Sequence, residues 1–298
     1  MRHLVMKFPN QISFRTQYED NPVSIKYYVK RFILQNRQRF ENKVVIDTPA
    51  GSGITSRILK EAGATVYAYD LFPEYFKAEG IVCERANVLN GLPVADEFAD
   101  VLLCQEGIEH FSDQLRALKE FNRVLKKNGS LIITTPNYSN LQSRLSYFLF
   151  ETEYFLKTMP ANEVDSIWMT GESEEEEIYL GHFFLLGIQK LRSLAKLAGF
   201  KIKNIIFTKA STTSLVMLPF AYPFLRLTNW WTYRNFVRRS SKIPNSPREG
   251  FYRELMQLNA NLRVLIDKNL FVEFEKEADL KSVKSNLRAR HRSFNVIT

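Results

Sequence analysis

Short, continuously apolar runs alternate with segments of helical spacing along the first two hundred residues, and this rhythm constrains the fold more than any other feature. Lys43-Val44-Val45-Ile46-Asp47, Thr65–Asp70 (TVYAYD), Ala99–Cys104 (ADVLLC) and Ser130–Thr135 (SLIITT) read as strands, and Ile81–Glu84 as a further one. Between them, Ile54–Ala62 reads as a helix ended by Gly63. Asp113–Leu125 reads as another, with Leu115, Leu118, Phe121 and Leu125 on one face and Asn128-Gly129 as its stop. A helix over 22–41 precedes the first strand, started by Asn21-Pro22, and a helical turn led by Pro73 follows the second. Strands apolar almost throughout need cover on both faces, which implies a parallel sheet between helices, the α/β class. After an irregular stretch at 136–184, a helix at about 185–198 closed by Gly199 and strands at Lys201–Thr208 and Thr212–Leu218 are expected.

The segment Val44 to Gly53 (VVIDTPAGSG) takes a buried strand directly into a glycine-containing turn and a helix. Glycine there lets the backbone approach a ligand and leaves the helix N-terminus facing it. A dinucleotide fingerprint requires a third glycine, but Gly51-Ser52-Gly53 is followed by Ile54, Thr55 and Ser56. Asp47, just before the turn, would also repel a pyrophosphate and suits a ligand carrying an ammonium group. The residues therefore argue against a nicotinamide dinucleotide and for an amino-acid-bearing cofactor. Asp70, ending the next strand, fits the two hydroxyls of an unphosphorylated ribose. In Ala86-Asn87-Val88, a short polar side chain is offered to an adenine edge. Each has a structural alternative, a helix cap for Asp70 and a turn for Asn87, but the three in order reinforce one another.

These motifs, with ANVLNGLPVADEFADVLLCQEGIEHFSD and LKEFNRVLKKNGSLIITTPN, resemble the class I S-adenosylmethionine-dependent methyltransferases. More narrowly, they are similar to the group that includes ubiquinone-biosynthesis O-methyltransferases and enzymes of bacterial surface-glycan pathways. The resemblance covers about residues 40–208. It implies a Rossmann-like, seven-stranded, mostly parallel sheet with a reversed last strand and helices on both faces. S-adenosylmethionine would lie over the carboxyl ends of the strands. By that resemblance Asp47, Ala50, Gly51 and Gly53 surround the methionine end, Asp70 the ribose, Asn87 the adenine, and Gln105 the floor, with Ser52, Leu71 and Val88 also among the cofactor-binding residues. Two positions depart from the family pattern. Pro49 replaces a usual glycine, making the turn stiffer and removing an N–H, and Asn87 replaces a commoner aspartate.

Methyl transfer is an in-line displacement on a sulfonium, so the enzyme must align a nucleophile and, for a hydroxyl acceptor, remove its proton. Gln105-Glu106-Gly107-Ile108-Glu109-His110 leaves the fourth strand on the ligand side, and His110 is the candidate base with Glu109 as its orienter or alternative. The plainer alternative is that both cap the next helix. Glu106-x-x-Glu109-His110 also resembles the ligand motif of metal-dependent members, including small-RNA 2′-O-methyltransferases. These members add a later histidine, a place His182 could fill. Pro136-Asn137-Tyr138 falls where the family places substrate- or cofactor-facing residues. The aromatics Tyr147, Phe148, Phe150, Tyr154 and Phe155 then line an acceptor cavity or form a second small core.

Three parts are expected: an N-terminal helical cap over 1–42, the cofactor domain over 43–218 with a substrate-covering insertion at 138–184, and a basic, partly helical extension over 219–298. The net charge of +9 lies in the last third, where eighteen Lys and Arg face seven Asp and Glu from Lys201 onward. Residues 215–231 (LVMLPFAYPFLRLTNWW) are the most apolar patch, too short and too interrupted to span a bilayer as a simple helix. They read either as a final strand with buried core or as an interfacial anchor. As an anchor, Trp230 and Trp231 sit at headgroup level and Arg234, Arg238, Arg239 and Lys242 meet anionic lipid. The acidic run Glu172–Glu177 reads as a solvated loop, and Cys83 and Cys104 as free thiols of a reducing compartment. The expected protein is a cytoplasmic methyltransferase acting on a small, glycan or lipid-linked acceptor, and on the anchor reading of 215–242 it also contacts the inner membrane face peripherally. The alternatives are an RNA methyltransferase using the basic tail and a non-catalytic protein that binds the cofactor.

Overall fold

The apolar runs assemble into one sheet, because the central strands bury alternate side chains in two separate helix-covered cores. The computed structural model describes residues 18–152, 181–240 and 248–286, side chains excepted at 237–249. The strands are β1 (Val44–Asp47), β2 (Thr65–Asp70), β3 (Cys83–Arg85), β4 (Ala99–Gln105), β5 (Leu125–Pro136), β6 (Phe200–Ile205) and β7 (Asn269–Lys276). Their order is β3-β2-β1-β4-β5-β7-β6. The first five run parallel, and β7 lies antiparallel between β5 and β6. The expected seven strands and single reversed member are thus present.

Eight helices complete the described residues: α1 (Ile25–Gln35), α2 (Ile54–Glu61), α3 (Gln114–Val124), α4 (Leu141–Phe150), α5 (Ile188–Leu197), α6 (Thr212–Ser240), α7 (Arg248–Asn259) and α8 (Leu262–Ile266). On one face Val45, Val101, Leu103 and Ile132 meet Val29, Phe32 and Ile33 of α1 and Ile58 and Leu59 of α2. On the other, Ile46, Leu102, Leu131 and Ile133 meet Leu118 and Phe121 of α3 and Leu191 and Ala195 of α5. Local signals set the ends. Ser24 caps α1 by accepting from Lys26 N, Asp113 caps α3 by accepting from Arg116 N, and Gly199 ends the α5 segment at φ +87°.

Several boundaries differ from expectation. Pro73 leads only a single 3-10 turn, Pro73–Tyr75, and the third strand falls at Cys83–Arg85. Leu125 already belongs to β5, so Asn128 and Gly129 lie inside that strand rather than stopping a helix. The largest correction concerns Thr212–Leu218, which is not a strand but the start of the 29-residue α6. Ser211 Oγ accepts from Ser214 N at 3.3 Å, a cap that starts a helix, and α6 packs on α7, α8 and α4. The sheet does not end at 218, since its seventh strand comes from residues 269–276 of the expected extension. Of the expected insertion, 141–150 forms α4. Tyr154, Phe155 and the acidic run Glu172–Glu177 lie outside the described residues, as do the side chains of Arg238, Arg239 and Lys242.

Candidate active site

A cavity of about 530 Å³ opens over the carboxyl ends of β1, β2 and β4. The parallel sheet directs those strand ends to a common edge, where each loop can reach a ligand without breaking the core. Of the residues expected to bind the cofactor, Asp47, Ala50, Gly51, Asp70, Leu71, Val88 and Gln105 all line the cavity, and so does His110.

The turn after β1 is held from several sides. Gly51 adopts φ +52° and Gly53 φ +80°, conformations that favour glycine. A Cβ on Gly51 would meet nothing within 4 Å, whereas one on Gly53 would fall 2.7 Å from Phe76 and 2.8 Å from Ala78. The first glycine therefore opens the cavity and the second permits close packing. The peptide between Thr48 and Pro49 is cis. The Pro49 ring presses on Gly107, where a Cβ would come within 2.3 Å of Pro49 Cδ, so the departure from the family's usual glycine is matched by a glycine opposite.

Asp70 ties this turn to β2. Its Oδ2 accepts from Gly51 N at 2.7 Å and its Oδ1 from Phe72 N at 2.8 Å, which leaves each oxygen a further lone pair. Asp47 is buried and accepts from Ser56 Oγ at 2.5 Å. Burial pushes its carboxyl up to about 7, with the charge of Asp70 adding to the rise. Thr55 Oγ1 donates to Gln105 Oε1 at 2.7 Å, fixing the floor.

Asn87, Ser52 and Gly53 stand apart from the cavity wall. Asn87 Oδ1 accepts from Leu89 N at 2.9 Å, shaping the turn, and Ala86 and Val88 on either side form the wall instead. Ser52 contributes its carbonyl to Lys77 N at 3.1 Å. Conversely, the cavity takes in residues that were not expected: Lys26 of α1, and the aromatics Phe72, Tyr75 and Phe111. Burial pulls the Lys26 ammonium below its usual value, against the opposing pull of the Asp47, Glu19 and Glu106 carboxylates. Position just beyond Asp70-Leu71 and directly after His110 was the one available signal for Phe72 and Phe111. Lys26 carried none, because it sits among ordinary basic residues of an amphipathic helix.

The loop after β4 carries the acid–base groups. Glu106 holds φ +49°, a strained conformation for a non-glycine residue that turns the chain into the cavity. Burial raises the carboxyls of both Glu106 and Glu109, and Glu109 is raised further by the neighbouring Glu106 charge. Glu109 is fully buried, its Oε2 accepting from Thr135 Oγ1 at 3.0 Å. Its Oε1 is buried with no hydrogen-bond partner. The His110 and His182 rings lie 5.0 Å apart, and donor atoms of Glu109, His110 and His182 all fall within 4.8 Å of one another. Gln114 holds the two segments together by donating to Ile108 O at 2.9 Å and Phe184 O at 2.5 Å. Three of the four candidate metal ligands thus converge, with an orphaned carboxylate oxygen that fits a cation; Glu106 is not among them. Asn137, expected to face a ligand, is fully buried and donates to the carbonyls of Val264 and Asp267.

A parallel sheet with one reversed strand, carrying a glycine turn and two acids at neighbouring strand ends, is the frame of a Rossmann-like methyltransferase. A family profile described as a methyltransferase domain matches residues 24–204. The chain belongs to this family, the class I methyltransferases, whose methyl donor is S-adenosylmethionine. It is 28% identical over 161 residues to a ubiquinone biosynthesis O-methyltransferase of Nitrosomonas europaea, a match covering 51% of this chain and 65% of that protein. It is 31% identical over 139 residues to an uncharacterised protein of Methanocaldococcus jannaschii, covering 45% of this chain and 57% of that one. The matched stretch therefore spans less than two thirds of either relative. A solved methyltransferase from Archaeoglobus fulgidus aligns with 87% of this chain and 98% of its own at 14% identity and a TM-score of 0.48.

Proposed function

We propose that this protein transfers a methyl group from S-adenosylmethionine to an oxygen atom of a small, glycan or lipid-linked acceptor. One observation carries the proposal: His110 both lines the cofactor cavity and joins Glu109 and His182 in a cluster of acid–base groups. The ubiquinone biosynthesis O-methyltransferases among its relatives support an oxygen acceptor. When bound, S-adenosylmethionine supplies an electrophilic methyl group on a sulfonium. Asp47 and Lys26 meet the ammonium and carboxylate of its methionine end, and Asp70 meets the ribose hydroxyls. Leu71, Val88 and Phe72 enclose the base. His110 takes the proton of the acceptor hydroxyl, with Glu109 beneath it holding the imidazole in place.

A second reading is favoured by the buried, unpartnered Glu109 Oε1. Glu109, His110 and His182 would hold a divalent cation, which lowers the pKa of a hydroxyl placed on it. The test is transfer of labelled methyl from S-adenosylmethionine to a panel of phenolic, sugar and prenylated-phenol hydroxyls, with RNA as a further arm. His110→Ala is expected to lower turnover by about 100-fold or more at unchanged cofactor affinity. Full turnover by that variant on an acceptor the wild type methylates would refute the role of His110. Loss of activity on chelation, restored by a divalent cation, selects the second reading. Labelling of RNA alone, or cofactor binding with no transfer at all, would overturn the assignment of acceptor.

A further inference from the structure

Helix α6 presents its solvent side as an apolar face. Its exposed positions recur at helical spacing, and Val216, Phe220, Phe224, Leu227, Trp230 and Trp231 fall among them. Phe220 is 82% exposed and Trp231 62% exposed, although both are large side chains with a strong drive to leave water. The opposite side is occupied: Phe236 stacks on Tyr252 of α7 at 3.5 Å between ring centroids, and Asn229 Nδ2 donates to Met256 O at 3.3 Å. The helix carries large apolar side chains on both sides, and the described residues cover only one of them.

Charge identifies what fills it. Arg226 and Arg234 stand on the exposed face, and the Arg234 guanidinium lies 5.2 Å from the Trp230 ring centre. No Asp or Glu occurs anywhere from Thr212 to Ser240, while Arg238 and Arg239 follow in sequence. Among the described residues, no helix is long and apolar enough to cross a membrane. An exposed apolar face with tryptophan, interspersed arginine and no acid fits the boundary between acyl chains and anionic headgroups. We propose that α6 docks flat on an anionic lipid surface, with its phenylalanines and tryptophans in the acyl boundary and Arg226 and Arg234 on the headgroups.

The topology starts α6 from the same sheet edge as the cavity. β5 and β6 are each antiparallel to β7, so they run parallel to one another, and α4 and α6 both spring from the sheet edge that holds the cofactor site. Docking through α6 would bring that edge to the bilayer. The inference stands independently of which acceptor is methylated.

The experiment is co-sedimentation of the full chain with vesicles of phosphatidylcholine alone or with 30% phosphatidylglycerol, at about 0.1 M salt. Wild type is expected to pellet with the anionic vesicles and to partition about tenfold less onto the neutral ones. Phe220→Glu/Phe224→Glu/Trp231→Glu is expected to stay in the supernatant while retaining wild-type S-adenosylmethionine binding, which shows that it folds. Arg226→Gln/Arg234→Gln is expected to lose the preference for anionic lipid and keep the residual apolar partitioning. Equal pelleting of the glutamate variant with the anionic vesicles would overturn the proposal. So would a wild type that stays in solution with every vesicle, including one that forms a dimer which the glutamate variant cannot form.

Discussion

Asp47 is buried and lines the cofactor cavity, so a ligand bound there bears directly on its protonation. Its carboxyl is pushed up to about 7, chiefly by burial, so near pH 6 the empty site holds it mostly protonated. An ammonium group brought beside it favours the ionised form, and binding must then expel a proton. The sign follows from linkage. Below about pH 7 affinity rises with pH, approaching tenfold per unit, and above the folded pKa it levels off. Calorimetry from pH 5.5 to 7.5, in two buffers of different ionisation enthalpy, is expected to find this rise with near one proton released at the acid end. Asp47→Asn is expected to bind S-adenosylmethionine at least about tenfold more weakly and without the slope. A flat wild-type affinity across the range would separate Asp47 from the ammonium.

At the scale of elements, the end of β5 shows how a loop signal can be structural. Pro136-Asn137 looks ligand-facing by position, but Asn137 Nδ2 donates to Val264 O at 2.9 Å and Asp267 O at 2.8 Å, and its Oδ1 accepts from Ser139 N. The side chain therefore staples α8 and the start of β7 to β5. Asn137→Ala would leave buried backbone groups without partners, and a loss of about 2–4 kcal/mol is expected in urea unfolding, with cofactor affinity per folded molecule little changed. What was legible in the sequence follows the same division. β1, β2 and β4 were legible because parallel central strands are apolar on both faces, and Asp47, Gly51 and Asp70 because they stand at fixed offsets from those strands. The start of α6 was misread because Thr212, Thr213 and Val216 suit a strand locally, while its helical form is set by Ser211 and by packing on α7 and α8. β7 was missed because Glu273 and Glu275 make its sequence look like a solvated tail. Glu273 is in fact buried, paired with Arg39 and Lys203 and bonded by Ser130 Oγ, partners no local pattern could supply. His182 beside His110 was anticipated only through a family resemblance, since the contact depends on the long-range Gln114 bridge.

For the whole molecule, β7 ties the last third of the chain into the sheet. It pairs with β5 along Ser130 to Pro136 and with β6 along Phe200 to Ile205, so removing it would open two strand edges in the middle of a sheet. Leu270, Phe271, Val272 and Phe274 are all buried, on both faces. At about 1.5–3 kcal/mol for each such side chain, their transfer alone is worth about 6–12 kcal/mol, close to the whole stability of a typical domain at about 5–15 kcal/mol. Lys276 adds a buried ammonium that donates to Leu125 O at 2.9 Å and pairs with Asp279. A chain cut after residue 260 keeps every residue lining the cofactor cavity, yet it is expected to show no cooperative thermal transition, to bind exposed-surface dyes and to have no measurable affinity for S-adenosylmethionine. The full chain measured alongside should melt cooperatively and bind. A truncated chain that unfolded cooperatively and bound the cofactor would mean that the sheet can close without its reversed strand, contrary to the burial on both of that strand's faces.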